Sequence, residues 1–170
     1  VKLKTNAVMI RAAKARRIAE LGVDSVQISL YSHDAATQDE ITKLPGSFKR
    51  TIEGTRFLRD AGVKVAFANV LMAQNADHYK QVQALADEMG IGYTVDATIT
   101  PMMDGDRGIV ELNMDPGRLA GIMHDTSLLG DQAERLLAAP SGPTPLEEAY
   151  ETLPCSAGHT ACYVSPYGDV

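Results

Sequence analysis

The sequence predicts an α/β fold built on a parallel sheet, and two observations carry the prediction. Strand-like runs alternate with helical stretches over residues 1–100. Each helical stretch also stops at an apolar–glycine pair (Leu21-Gly22, Ala61-Gly62, Met89-Gly90) just before a new β run. Strands joined through helices are βαβ units, whose crossovers make the strands parallel. Neither a helix-only nor an all-β class fits this alternation.

The elements follow in order. Lys2 to Asn6 is short and strand-like, and Ala7 to Leu21 repeats apolar positions at helical spacing through Val8, Ala12, Ala15, Ile18 and Ala19, with Gly22 as its stop. Ser25 to Leu30 has the β-branched content and length of a buried strand, followed by a polar loop to Pro45-Gly46 with a short helix over Ala35 to Thr42. Ser47 is the expected N-cap of a helix from Phe48 to Ala61. The unit then repeats: strand Val63 to Met72, N-cap Asn75 or Asp77, helix Tyr79 to Met89, and a further strand from Gly92 to Thr100. Residues 102–108 read as a long loop, and Asp115-Pro116, a capping acid before a first-turn proline, launches a helix from Gly117 to Asp125. Beyond it lie a helical stretch from Asp131 to Ala139, a linker-like Pro140-Ser141-Gly142-Pro143-Thr144-Pro145, a short helix from Leu146 to Leu153, and a Gly/Cys/Pro-rich end.

Composition bounds the function. With 170 residues, 45% of them hydrophobic and 22% charged, the chain is one domain, or one domain plus the start of another, so small disulfide scaffolds and disorder are excluded. Its 22 acidic against 16 basic residues give a net charge of −6, which argues against a nucleic acid or an anionic membrane as the main partner. No apolar run reaches the roughly 18 residues of a membrane span, and the N-terminus lacks a signal-peptide core, so a cytoplasmic protein is expected. Val1 is not an initiator Met and Val170 ends inside a strand-like run, so the chain reads as a piece of a longer protein.

In parallel α/β folds, ligands bind at the carboxyl ends of the strands. The candidates are therefore Thr5 and Asn6, Ser29 to His33, Asn69 to Asn75, and Thr98 to Met103. Short polar side chains there can bond a ribose or an amino-acid head group, and Met102 and Met103 can pack on an adenine. The alternative for Ser29 and Asn69 is that they satisfy local backbone groups. His33 beside Asp34, and His78 beside Asp77, suit either a general base or a turn and helix start. Leu44-Pro45-Gly46-Ser47 is too poor in glycine for a phosphate loop, and Gly-x-Ser-x-Gly is absent. Cys155 and Cys162 are soft ligands suited to zinc or iron–sulfur chemistry. Two cysteines cannot fill a four-cysteine site, so other ligands lie elsewhere or the thiols are simply buried.

Three runs carry a family likeness: Val26-Gln27-Ile28-Ser29-Leu30-Tyr31-Ser32-His33-Asp34, then Ile41 through Ile52, then Leu58-Arg59-Asp60-Ala61-Gly62-Val63. They resemble the middle of a radical S-adenosylmethionine (AdoMet) enzyme. Cys155-x-Ala-Gly with Pro166-Tyr167-Gly168-Asp169-Val170 resembles the opening of the SPASM extension, which holds auxiliary iron–sulfur clusters in that family. The likeness covers residues 1–100 and 155–170. The family's C-x3-C-x2-C motif, which binds the radical-generating 4Fe–4S cluster, is absent from these residues.

The resemblance implies a partial (β/α) TIM-like barrel containing roughly the third to sixth strands. Residues 1–110 would form that part, 111–153 a helical connection, and 154–170 the start of a SPASM domain. It further implies that Ser29 and Ser32 face AdoMet, that Asn69 contacts its ribose or carboxylate, and that Thr98 to Met103, Met102 included, border the adenine and the substrate. Cys155 would be an auxiliary-cluster ligand; Cys162 is not a required position of the pattern. The implied cofactors are AdoMet, a 4Fe–4S cluster with ligands outside this chain, and auxiliary iron–sulfur clusters. The implied chemistry is reductive cleavage of AdoMet to a 5′-deoxyadenosyl radical that abstracts hydrogen from a substrate. Implied partners are a peptide or small-molecule substrate, a peptide-recognition domain, and a reductant such as flavodoxin or ferredoxin. The substrate reading is a peptide or peptide-derived cofactor precursor, with a tetrapyrrole as the alternative within the enzyme class and a non-catalytic binding module outside it.

Overall fold

Each strand of the sheet pairs with the strand that follows it in the chain, and every pair is parallel. In the computed structural model the described residues are 1–97, 99–102, 104–128 and 164. The elements run β1 (Lys2–Thr5), α1 (Ala12–Glu20), β2 (Ser25–Ser29), α2 (Ala35–Thr42), α3 (Ser47–Asp60), β3 (Val65–Val70), α4 (Tyr79–Met89), β4 (Gly92–Asp96) and α5 (Pro116–Met123). Short 3₁₀ turns precede α4 at Ala76–His78, precede α5 at Gly108–Leu112, and follow it at Thr126–Leu128. The sheet order β1-β2-β3-β4 contains no reversal, whereas a doubly wound sheet reverses at its switch point. Stepping in one direction is what an arc of a (β/α) barrel does, and the expected fold class holds.

The two faces of the sheet differ because side chains alternate along a strand. Val26 and Ile28 of β2 and Val65 and Phe67 of β3 are buried, against Ala15, Ile18, Ile52, Leu58, Val82 and Ala86 of the helices. Their neighbours Ser25, Gln27 and Ser29, and Ala66, Ala68 and Val70, are half-buried on the other face, all but Val70 small or polar. The core thus sits between sheet and helices. A smaller cluster of Leu71, Ala76, Met114 and Ile122 seats α5 near the end of β3.

Several expected boundaries move, each for a local reason. The helix expected from Ala7 starts at Ala12. Thr5 Oγ1 and Asn6 Oδ1 accept the Ala7 and Val8 N–H groups (3.1 and 3.2 Å), offering the backbone a turn in place of helix, and Ala7 is left-handed at φ 57°. Thr51 of α3 donates to the Asn6 carbonyl (2.9 Å), and Gly54 lies so near the Ala7 carbonyl that a Cβ there would collide with it. Ser47 is not an N-cap: it is the first residue of α3, after Gly46 in the left-handed region. Asp39 of α2 caps instead, accepting from the Gly46 and Phe48 N–H groups and from Ser47 Oγ (2.8 Å).

The strand expected to run to Met72 stops at Val70, because Asn75 Oδ1 takes the Met72 N–H (2.7 Å) and Asn75 Nδ2 the Val70 carbonyl (3.0 Å). The strand expected to reach Thr100 stops at Asp96, and the Asn113 side chain bonds both backbone groups of Ile99 (3.3 and 3.1 Å) in place of a neighbouring strand. Part of the expected loop at 102–108 becomes the start of the 3₁₀ turn at Gly108. Asp115 caps α5 as expected, accepting from the Arg118 N–H at 3.0 Å. Residues 1–128 belong to one compact unit. The elements expected between Asp131 and Leu153, and the cysteine-containing end, lie outside the described residues.

Candidate functional site

A cavity of about 610 Å³ opens at the carboxyl ends of the strands. Asn6 follows β1, Ser29 ends β2 with Tyr31 two residues on, and Val70 ends β3. Helices α2 and α3 add Gln38, Ile41, Thr42, Ser47 and Thr51. The segment after β4 closes the wall with Ile99, Thr100, Ile109 and Leu112. Among the described residues none with a formal charge lines it. Leu44, Ile109 and Leu112 also stay exposed, as an apolar rim.

Beside the cavity lies a layer of buried amides and hydroxyls, each with its hydrogen bonds made; among the described residues no buried side-chain polar atom lacks a partner. Gln38 Oε1 accepts the Tyr31 and Ser32 N–H groups (2.8 and 3.2 Å). Asn75 Nδ2 donates to the Tyr31 carbonyl (2.9 Å), and Asn69 Nδ2 to the Leu30 carbonyl (2.7 Å). The Tyr93 hydroxyl donates to Asn69 Oδ1 at 3.1 Å, and burial, with the nearby Tyr79 adding to it, pushes that phenol up, so it remains a donor. Ser32 Oγ accepts the Asp34 N–H (2.9 Å) and shares a 2.6 Å hydrogen bond with His78 Nδ1, and the His78 ring meets His33 edge to face at 4.9 Å. Asp34 caps α2, and the Thr37 N–H it accepts holds its carboxyl below the ordinary range.

Of the residues singled out in the sequence, Ser29 lines the cavity. Ser32 and Asn69 are buried beside it, their side chains bonded to the protein itself. Met102 is exposed, two residues past the lining residue Thr100. Thr98, Cys155 and Cys162 lie outside the described residues. His78 closes the 3₁₀ turn before α4 and ties it to Ser32, a link across 46 residues that spacing could not reveal. Gln38 was missed altogether. Its one signal is a polar residue on the helix stripe shared with Ile41 and Thr42.

Among the described residues no group of three His, Cys, Asp or Glu side chains could hold a metal ion. Nor, among them, is any helix long and apolar enough to cross a membrane. The polar hydroxyls and amides among apolar walls fit a nucleoside, which needs hydrogen bonds at its ribose and apolar contact at its base.

No protein-family model matches the chain. Its residues are 28% identical over 88 positions to an AdoMet-dependent heme synthase of Nitratidesulfovibrio vulgaris, a match covering 52% of this chain and 24% of the relative. A pre-heme d1 synthase of Dinoroseobacter shibae is 30% identical over 89 residues, 52% of this chain and 22% of its own. The PqqA peptide cyclase of Granulibacter bethesdensis is 24% identical over 95 residues, 56% of this chain and 25% of its own. In fold, the chain resembles native anSMEcpe with bound AdoMet and the Cp18Cys peptide, at a TM-score of 0.60 and 16% identity, over 80% of this chain and 38% of that one. In sequence the chain is similar to these relatives, an AdoMet-dependent heme synthase among them, and in fold to a protein that binds AdoMet. The match spans about a quarter of the length of these curated relatives.

Proposed function

We propose that this chain forms the AdoMet- and substrate-facing centre of a radical AdoMet enzyme that modifies a peptide or a peptide-derived cofactor precursor. The observation that carries the reading is the uncharged cavity at the carboxyl ends of four parallel strands, with Asn6 and Ser29 in its polar lining. Bound there, and with a 4Fe–4S cluster whose C-x3-C-x2-C motif is not among these residues, AdoMet would supply a hydrogen-abstracting 5′-deoxyadenosyl radical on one-electron reduction. Asn6 and Ser29 would bond its polar groups, and Thr100 with the neighbouring Thr98 and Met102 would border its base and the substrate. Ser32 and Asn69 would act from behind, holding the loops that carry the lining. The apolar walls Ile41, Val70 and Ile99 would keep water from the reacting atoms.

A tetrapyrrole substrate is the second reading, favoured by the names of the relatives that make haem and pre-haem d1. Haem-type precursors carry several carboxylates, which are bound by cations or dense donors. Among the described residues the lining offers no cation for several carboxylates at once, which favours the peptide reading. By this reading residues 154–170 open an auxiliary-cluster domain with Cys155 as a ligand and Cys162 a lesser one, the protein works in the cytoplasm, and a flavodoxin or ferredoxin delivers the electron.

The test is to reconstitute the full protein anaerobically with iron and sulfide, then supply AdoMet and dithionite. Formation of 5′-deoxyadenosine and methionine supports the reading; AdoMet left intact by a protein with its cluster in place sinks it. Iron and sulfide beyond one 4Fe–4S equivalent should fall in Cys155→Ala and fall less in Cys162→Ala. Equal iron in wild type and Cys155→Ala would remove the auxiliary-cluster assignment.

A further inference from the structure

One aromatic residue of the cavity has its backbone gripped from both sides. The Tyr31 N–H is bonded to Gln38 Oε1 of α2 at 2.8 Å, and the Tyr31 carbonyl accepts from Asn75 Nδ2, from the loop after β3, at 2.9 Å. Both amides are 1% exposed. Desolvating two side-chain amides is unfavourable unless their bonds are made, and here the bonds converge on one peptide segment. Tyr31 itself is half-buried and lines the cavity. It stands two residues beyond Ser29, the last residue of β2, and shares the cavity lining with the exposed apolar residues Leu44, Ile109 and Leu112.

We propose that Tyr31 is a specificity-determining residue, a fixed aromatic wall that receives an uncharged side chain of the substrate, and that Gln38 and Asn75 are its positioning residues. The inference rests on the proposed function and deepens it by naming the substrate group. An aromatic ring and an apolar rim gain from burying a neutral side chain, whereas a carboxylate beside that rim loses hydration with no cationic side chain among the described lining residues to replace it. A residue whose backbone is held by a helix on one side and a loop on the other is pre-organised, so little backbone ordering remains to be done on binding.

The bonding pattern makes the two positioning residues separable. Gln38 uses its oxygen to accept two N–H groups, so Gln38→Glu keeps both bonds, and burial favours the neutral form of the new carboxyl. Asn75 uses its NH₂ to donate to the Tyr31 and Val70 carbonyls, so Asn75→Asp keeps one of these bonds if protonated and neither if ionised.

The experiment uses the full protein with its clusters and two probes, N-acetylphenylalaninamide and N-acetylaspartamide, titrated by saturation-transfer NMR with AdoMet present. AdoMet affinity is measured separately by calorimetry, and folding by circular dichroism. The phenylalanine probe should bind at least tenfold more tightly than the aspartate probe. Tyr31→Ala should weaken the phenylalanine probe about tenfold, and Tyr31→Phe should leave it within twofold. Gln38→Glu should stay near wild type and Asn75→Asp should lose about fivefold, with AdoMet affinity unchanged in all four variants. Wild type that binds AdoMet but neither probe, or prefers the charged one, overturns the proposal. So does a Tyr31→Ala variant that keeps probe affinity or loses AdoMet with it, and so does Gln38→Glu failing while Asn75→Asp does not. If Asn75→Asp does not fold, Tyr31→Ala and Gln38→Glu decide. Wild type that binds no AdoMet refutes the parent reading instead, a result distinct from all of these.

Discussion

The helix-facing side of the sheet and the layer at its carboxyl end are built from different forces. On the helix side, Val26, Ile28, Val65 and Phe67 meet apolar helix residues, and what stabilises the contact is area removed from water. At the carboxyl end, Gln38, Asn69 and Asn75 meet backbone groups of neighbouring loops, and what matters there is direction. The first region tolerates swaps of shape if volume is kept. The second does not, because moving one acceptor strands a buried donor. The difference teaches that this chain's stability and its site geometry are held by separate sets of residues.

The largest expected effect lies on the apolar side. Phe67 is fully buried at the centre of the sheet, so Phe67→Ala should lower unfolding free energy by about 3–5 kcal/mol, read from urea melts. A loss under about 1 kcal/mol would mean that the core is not where the burial puts it.

Gly54→Ala comes next and tests the seam between the two regions. Its methyl would enter the Ala7 carbonyl and push the Asn6 loop off α3, for a loss of about 1–3 kcal/mol. The Asn6 and Val8 amide resonances should shift with it, whereas Gly62→Ala, with nothing near its Cβ but a φ of +81°, should destabilise without moving them.

In the polar layer, Asn69→Leu should cost about 1–3 kcal/mol despite being apolar and of similar size, since it leaves the Leu30 carbonyl and the Tyr93 hydroxyl without their partner. A stabilised Asn69→Leu would erase the distinction drawn between the two regions.

A pH titration sharpens the comparison at the edge of the smaller cluster. Asp125 accepts from Ser127 Oγ (2.7 Å) and the Tyr79 hydroxyl (2.8 Å) and pairs with Lys80 (3.0 Å). Together these hold its carboxyl well below the ordinary range, the Ser127 bond first among them. A depressed folded-state value means that its stabilisation is present above the ordinary carboxylate value near 3.8 and lost as pH falls below it. Asp125→Asn should therefore flatten the acid limb of the stability profile and change little in its slope at neutral pH; an unchanged acid limb would refute the assignment. The smallest effect belongs to the exposed Arg17–Glu20 pair at 3.3 Å, where Glu20→Gln should leave the urea midpoint unmoved.

How much of this was legible in the sequence follows the same division. Helix α2 and helix α4 begin and end where the sequence put them, because their signals are local: Asp34 before Ala35, and Gly90 after Met89. The start of α3 was misread because its cap, Asp39, belongs to the preceding helix and reaches it through space. In the cavity wall, Ser29 was legible as a strand-end polar residue. The partners that bury Ser32 and Asn69 were not, being His78 and Tyr93, 46 and 24 residues away along the chain.

By itself the sequence determined the parallel α/β class and the succession of strands and helices, because apolar periodicity and glycine stops act over a few residues, and the parallel class in turn singles out the end of the sheet at which the cavity opens. Only the tertiary structure decided which polar side chains face the cavity and which are taken up behind it. Gln38 and Asn75 lie 37 residues apart in the chain yet close on the same Tyr31 peptide segment, and a hydrogen bond needs its two groups within about 3 Å whatever their separation in sequence.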